Sequence, residues 1–241
     1  MFSIEHLLTP ESLIALATLT FLEIVLGVDN IIFISIVTNK LPKGQQPKAR
    51  FIGLSLALIF RVLLLMSIAY IIGLTKPVLT VLEHPISWRD IILALGGLFL
   101  IAKSTSELHG KTSGIEHHQK EVKAVSFSSI ILQIILLDIV FSFDSILTAI
   151  GLSNQIPIMI AAVVISIIVM MLFSGAISDF VNKHVTLQIL ALSFLILIGF
   201  MLLIEAFHYH VPKGYIYFAV AFSLAVEVIN LRVRKKTETI L

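Results

Sequence analysis

The chain has 241 residues, of which 58% are hydrophobic and only 13% are charged, with a mean hydropathy of +1.04 and a formal net charge of +2. Soluble domains are roughly 45–50% apolar and about 25% charged, so this composition predicts an integral membrane protein with little sequence left for a soluble domain. The absence of cysteine excludes disulfides, thiolate metal ligands and iron–sulfur clusters.

Seven apolar stretches approach the ~20 residues that a helix needs to cross a bilayer. In chain order, we predict spans at about 12–38, 50–73, 88–105, 126–153, 156–178, 186–207 and 214–231. The third has the shortest apolar core and crosses only if Trp88 and Lys103 lie at the two interfaces. We expect the polar loop at about 106–125, with its three histidines, to be a solvated cytoplasmic linker rather than a metal-sensing segment.

Basic residues are unevenly distributed between the two sides of the predicted bundle. If the N-terminus is outside, thirteen of the seventeen Lys and Arg residues lie in cytoplasmic segments and only three lie in outer segments. The remaining one, Arg61, lies within the second span. Because Lys and Arg accumulate in cytoplasmic loops, the N-terminus is predicted outside and the C-terminus in the cytoplasm.

A short acidic motif occurs twice, in the first and the fourth span. Residues 22–30 read Leu-Glu-Ile-Val-Leu-Gly-Val-Asp-Asn, and residues 137–145 read Leu-Asp-Ile-Val-Phe-Ser-Phe-Asp-Ser. A constant offset of 115 pairs Glu23 with Asp138 and Asp29 with Asp144. These two spans run in opposite directions, which predicts a 3+3 inverted repeat within a single transmembrane domain. Repeat one covers about 12–105, repeat two about 126–207, and a seventh helix follows at about 214–231.

The acids of this motif predict a cation site. Each carboxylate in a membrane interior costs about 2.5–3.5 kcal/mol on insertion scales, so a proton, a buried arginine or a bound cation must neutralise them. Oxygen ligands without thiolate or histidine suit Mn²⁺, Mg²⁺ or Ca²⁺ better than Cu⁺ or Zn²⁺. The excess negative charge around one divalent ion also favours partial protonation and thus proton coupling. The candidate metal ligands are Glu23, Asp29, Asn30, Asp138, Asp144 and Ser145.

Helical geometry separates the two acids within each copy of the motif. At 100° per residue, Glu23, Gly27 and Asn30 share one face, whereas Asp29 lies about 120° away, and the second copy repeats this pattern. A regular helix would therefore not direct both acids to one ligand. We predict that the helices unwind near Gly27 and Ser142, because broken helices often line cation sites in transporters.

A purely structural role for the acids is the alternative to the cation site. In that case they would form hydrogen bonds with neighbouring helices or pair with Arg61, which is their candidate charge partner. One buried acid would make this alternative competitive. Two matched pairs in antiparallel spans favour the cation site.

The chain resembles the TerC family of membrane proteins, which is named for tellurium resistance. The resemblance rests on the two acidic motifs, on Gly96-Gly97-Leu-Phe-Leu-Ile-Ala-Lys103, and on Val226-Glu227-Val-Ile-Asn230. It implies a seven-span protein of the bacterial inner membrane, related to the lysine-exporter superfamily, in which several members export manganese and help to supply metal to secreted enzymes. It also implies that the family's metal-site acids correspond to Glu23, Asp29, Asp138 and Asp144, with Asn30 and Ser145 beside them.

We therefore expect a transporter that exports Mn²⁺ from the cytoplasm, with the lipid bilayer, the divalent ion and protons as its partners. Two other functions stay open: a membrane factor that delivers metal to secreted enzymes at the secretion machinery, and an exporter of a basic amino acid. No nucleic-acid partner is expected. An enzyme is not expected either, because two protease-like acids would have to share a proton at close range and no other nucleophile or base accompanies them.

Overall fold

The computed structural model describes residues 9–67, 73, 75, 77–81, 84–112, 125–152, 155–209 and 211–238. Within these ranges it contains seven long helices and one antiparallel β-hairpin, in agreement with the predicted all-α membrane protein. The helices are α1 (Pro10–Thr38), α2 (Gln46–Met66), α3 (Trp88–Thr112), α4 (Phe127–Leu152), α5 (Ile156–Lys183), α6 (Val185–Ala206) and α7 (Lys213–Glu238). The strands are β1 (Pro77–Val81) and β2 (His84–Ser87).

Five of the described helices are long and apolar enough to cross a bilayer, namely α1, α2, α3, α5 and α6. Shorter apolar stretches, Phe127–Phe143 and Gly214–Asn230, lie within α4 and α7. Helices α3 and α5 continue past the predicted span ends at 105 and 178. Helix α2 ends at Met66, and most of the predicted second span beyond Ser67 lies outside the described residues. The hairpin that precedes α3 was not predicted.

Prolines and hydroxyls define where several helices begin. Helix α1 starts after Thr9, whose hydroxyl accepts a hydrogen bond from the Ser12 backbone N–H at 3.3 Å, and Pro10 occupies its first turn. Pro47 and Pro157 stand in the first turns of α2 and α5. Proline is tolerated there because the first N–H groups of a helix have no intrahelical acceptor. The residues at which α1, α2 and α5 begin are thus determined by the local sequence.

Contacts at one end of the bundle bring together the ends of α1, α3 and α5. Asn39, directly after α1, and Asn182 in α5 donate amide hydrogen bonds to each other. Lys40 forms an ion pair with Glu107 in the last part of α3. We call this end of the bundle the inner end, after the predicted orientation, and the opposite end the outer end.

Further contacts show the direction of the remaining helices. Arg89 in the first turn of α3 pairs with Glu205 near the end of α6 at 2.9 Å, so both lie at the outer end. Helix α2 begins at the inner end, and its Gly53 lies against Ile134 in the first half of α4. Helix α4 therefore also begins at the inner end. It runs antiparallel to α1.

The main helix contacts have an internal regularity. The most extensively packed pairs are α3 with α6, α1 with α5, α2 with α4, and α2 with α5. In an inverted repeat, α1 corresponds to α4, α2 to α5 and α3 to α6. When each helix is replaced by its counterpart, each of the four packed pairs becomes a pair that is already among the four. A 3+3 inverted repeat produces this regularity, and the repeat stays a prediction with which the packing agrees.

Helices α3 and α6 approach each other through glycine. A Cβ atom placed on Gly97 would lie 2.5 Å from the carbonyl oxygen of Gly199, and one on Gly199 would lie 2.8 Å from that of Gly97. Small residues permit such close backbone contact between membrane helices. By contrast, no described atom of a neighbouring element lies within 4 Å of the corresponding position on Gly175.

Candidate functional site

The two copies of the acidic motif meet at Arg61 in α2. Arg61 Nη1 donates to Glu23 Oε2 at 2.6 Å, and Nη2 donates to Asp138 Oδ1 at 2.7 Å. Its Nε also contacts both Asp138 oxygens, at 3.1 and 3.2 Å. Glu23, Arg61 and Asp138 are only 6%, 3% and 6% exposed. One guanidinium therefore connects α1, α2 and α4 inside the bundle.

The charges of this triad are nearly balanced. Two ionised carboxylates and one guanidinium leave one excess negative charge, at a depth where an unpaired ion would be very unfavourable. Arginine suits this position because its planar fork presents several donors in fixed directions and retains its charge when buried. The predicted charge partner thus engages Glu23 and Asp138 together, which is what the structural alternative expects for these two acids.

The second motif supports Asp138 through its own hydroxyl groups. Ser142 Oγ, one turn further along α4, donates to Asp138 Oδ2 at 3.2 Å. Ser145 Oγ donates to the Ser142 carbonyl oxygen at 3.3 Å, and both serines are buried. A hydroxyl that donates its proton keeps its lone pairs, so the Ser145 oxygen can still accept a hydrogen bond or bind a cation.

Asn30 presents an unused oxygen in the corresponding part of α1. The residue is 4% exposed, and its Oδ1 has no hydrogen-bond partner among the described residues. Leaving a buried acceptor unpaired costs about 1–3 kcal/mol. A side-chain amide oxygen is also a normal ligand for a hard cation. Asn30 is therefore a candidate ligand that lacks any other described role.

The second acid of each motif lies at a different depth from Arg61. The side chains of Asp29 and Asp144 are outside the described set, but both residues belong to the helical backbone. Six residues of helix separate each from Glu23 or Asp138, which corresponds to about 9 Å along the axis. Because α1 and α4 are antiparallel, Asp29 lies toward the inner end and Asp144 toward the outer end. Their Cα atoms are thus offset by about 18 Å along the bundle.

The predicted unwinding near Gly27 and Ser142 was wrong, because α1 and α4 run through both positions as unbroken helices. Gly27 instead gives room to α5, since a Cβ atom there would overlap Met170 Sδ. Ser142 uses its hydroxyl to reach Asp138 within a regular turn. With both helices intact, the Cα atoms of the four acids are spread too far along the bundle for all four to bind a single ion. Along the bundle axis the acids lie at three levels: Asp29 toward the inner end, Glu23 and Asp138 beside Arg61, and Asp144 toward the outer end.

Among the side chains that the structure describes, no three His, Asp or Glu residues are grouped so that they could hold a metal ion. Glu23 and Asp138 are both engaged by Arg61. Of the other sequence-predicted ligands, Asn30 and Ser145 have described side chains, and neither has a described contact with Arg61.

A further buried acid, Asp90, was not singled out from the sequence. Its Oδ2 accepts from the Ser87 backbone N–H at 2.8 Å and from Ser87 Oγ at 2.7 Å, and it lies 3.0 Å from His208 Nε2. The Asp90 backbone N–H in turn donates to Ser87 Oγ at 3.2 Å. This is a capping box at the start of α3, and the Ser-x-x-Asp spacing before an apolar run is its sequence signal. Asp90 therefore stabilises a helix terminus.

The comparisons with known proteins agree with this architecture. The chain matches the model of the integral membrane protein TerC family over residues 8–239. It is 51% identical to a Haemophilus influenzae UPF0053 protein, across 96% of this chain and 98% of that one. It is 54% identical to the Escherichia coli UPF0053 inner membrane protein YgdQ, across 94% and 95% of the two chains.

A longer relative matches this chain over less than half of its own length. The Escherichia coli UPF0053 inner membrane protein YoaE is 47% identical across 96% of this chain but 45% of its own. No solved structure matches the chain significantly. The helices and the relatives together indicate an integral protein of a bacterial inner membrane. With a family model that covers nearly its whole length, the chain belongs to the TerC family.

Proposed function

We propose that this protein is a transporter that exports a divalent cation, specifically Mn²⁺, from the cytoplasm. The observation that carries the proposal is the convergence of the duplicated motif, in which equivalent acids of two antiparallel helices meet at one buried arginine. Transporters built from inverted repeats bind their substrates where the repeats meet, near the middle of the membrane. A duplicated acidic motif at that meeting point suits a cation as cargo.

We assign the binding of the transported ion to the motif residues outside the Glu23–Arg61–Asp138 triad. Asp29 and Asp144 supply carboxylates, and Asn30 and Ser145 supply neutral oxygens beside them. These oxygen ligands, completed by water, match the preference of Mn²⁺. Because the two aspartates are offset along the bundle, they provide one cation-binding position toward the inner end and one toward the outer end.

Electrostatics favours a divalent ion over a monovalent one. The four motif acids and Arg61 carry a formal charge of −3 when all are ionised. One bound Mn²⁺ reduces this excess to −1, whereas a monovalent ion leaves −2. When Mn²⁺ is bound at one aspartate, a proton on the other aspartate would neutralise the remaining charge of −1. This gives a physical basis for exchanging Mn²⁺ against protons.

The test is Mn²⁺ flux into liposomes that contain only the purified protein. We expect wild-type protein to move Mn²⁺ and the variants Asp29→Asn and Asp144→Asn to lose at least tenfold in rate. Glu227→Gln, which removes an acid of α7 outside both motifs, serves as the matched control and keeps the wild-type rate within about twofold.

Two results would contradict the proposal. Wild-type protein that moves no Mn²⁺ without added partners would favour a metal-delivery factor. Inhibition of the flux by lysine, together with transport of lysine itself, would favour a basic amino acid as the substrate.

A further inference from the structure

We infer that Arg61 is a specificity-determining residue whose guanidinium acts as a built-in cation: it fills the carboxylate pair of Glu23 and Asp138 and keeps the transported ion out of that position. The inference rests on the proposed function and adds to it a reason why only part of the motif serves the ion. It also predicts an additional cation position that becomes accessible when the arginine is removed.

The guanidinium lies between the carboxylates of Glu23 and Asp138, in the position that a bound cation would take. It contacts one oxygen of Glu23 and both oxygens of Asp138, at distances from 2.6 to 3.2 Å. The three side chains are more than nine-tenths buried, so little water competes for these contacts. Ser142 Oγ satisfies one further lone pair on Asp138. The carboxylate pair therefore has no room for a metal ion while Arg61 is present.

The duplicated motif explains why one arginine is enough. Glu23 and Asp138 are equivalent under the offset of 115 residues, but the residue 115 positions after Arg61 is Ala176. A cation that lies between two equivalent acids serves both copies, so its own position need not be duplicated. Among the described residues, two acids and one side-chain cation thus lie at this level of the bundle.

Removing the guanidinium would create a metal site. Glu23 and Asp138 would then face each other across the vacated volume as two uncompensated carboxylates. Such a pair either takes up a proton or binds a cation, and carboxylate oxygens are good ligands for Mn²⁺. A small side chain at position 61 leaves space for the ion and the water molecules that complete its coordination.

The experiment measures how many Mn²⁺ ions each purified chain binds, by equilibrium dialysis at pH 7.5 with metal analysis. We expect Arg61→Ala to bind one more Mn²⁺ than wild-type protein, and free guanidinium ion to displace that additional Mn²⁺. Two controls are expected to bind the wild-type number. One is the triple variant Arg61→Ala, Glu23→Gln, Asp138→Asn. The other is Arg50→Ala, which removes a buried arginine of the same helix whose described partner is the Ser178 hydroxyl.

An unchanged number of bound ions in folded Arg61→Ala protein would overturn the inference, because it would mean that the pair takes up a proton instead. If Arg61→Ala is unstable without metal, its yield of monodisperse protein is the second readout. The inference then predicts a recovery with 1–10 mM Mn²⁺ (roughly the range that fills a weak carboxylate site) in Arg61→Ala but none in the triple variant. A failure of Mn²⁺ to improve the yield would equally overturn it.

The proposed function is tested separately from this inference. The bound-ion count is a difference between Arg61→Ala and wild-type protein, so it does not depend on any transport rate. Absence of Mn²⁺ flux in the wild-type protein would refute the proposed function, and with it the role of Arg61 in selecting the transported ion. Normal wild-type flux with no additional ion in Arg61→Ala would refute this inference alone.

Discussion

The charge balance of the Glu23–Arg61–Asp138 triad predicts a distinct order of stability losses. Arg61→Met leaves two buried carboxylates without a counter-charge, whereas Glu23→Gln and Asp138→Asn each leave one balanced ion pair. Breaking a buried ion pair by removing one partner costs about 3–5 kcal/mol, so Arg61→Met should lose at least that much. A loss of this size lowers the melting temperature by about 2–4 °C per kcal/mol in a chain of this length, hence by about 6–20 °C.

The two acids should differ because Arg61 engages them unequally. Asp138 accepts hydrogen bonds from Nε and Nη2 of Arg61 and one from Ser142, whereas Glu23 accepts one hydrogen bond from Arg61. Each hydrogen bond to a charged group contributes about 1.5–3 kcal/mol, so Asp138→Asn should lose about 3 kcal/mol and Glu23→Gln about half of that.

Thermal unfolding in detergent micelles, followed by near-UV circular dichroism, measures this order. Arg89→Met is the control, because its ion pair with Glu205 is partly exposed and should contribute at most about 1 kcal/mol. The triple variant Arg61→Met, Glu23→Gln, Asp138→Asn should recover most of the loss, since a neutral replacement of a buried ion pair is often tolerated. A smaller loss for Arg61→Met than for Glu23→Gln would show that Arg61 does not balance the charge of the two carboxylates.

Two further predictions concern how the helices that surround the site are held. Gly97→Ala should lose about 1–3 kcal/mol in thermal unfolding, because its Cβ would lie 2.5 Å from the Gly199 carbonyl oxygen and would separate α3 from α6. Gly175→Ala should be neutral or stabilising by up to about 1 kcal/mol, and an equal effect of both substitutions would contradict the close-contact argument. Asp90→Ala should lose about 0.5–2 kcal/mol and speed hydrogen exchange at the start of α3, since it breaks the capping box with Ser87. Unchanged exchange there would contradict the cap.

Hydropathy was sufficient to predict the helices of the fold because a bilayer requires about 20 apolar residues from each span. The antiparallel relation of α1 and α4 followed from counting the crossings between the two motifs. The hairpin before α3 was not predicted because β1 and β2 are only five and four residues long and lie in a segment whose sequence is typical of a loop. Short strands carry too few residues for a clear alternation of apolar and polar side chains.

Side-chain partners were harder to predict than spans. Glycine in a membrane helix can either break the helix or admit a neighbour, and the sequence around Gly27 does not distinguish these cases. The structure shows that Met170 of α5 occupies the space beside Gly27, which depends on packing between residues far apart in the chain. For the same reason, Arg61 was considered only as one partner among several. Its contacts with both motif acids require α2 to pack between α1 and α4.

We propose that the transported ion binds to either side of Arg61 along the bundle and not between Glu23 and Asp138. The most direct measurement is diffraction at the manganese absorption edge from crystals grown with Mn²⁺. We expect anomalous density at the level of Asp29 or Asp144, with Arg61 still positioned between its two carboxylates. A peak between those two carboxylates with the guanidinium displaced, or one ion bound by all four motif acids, would contradict it.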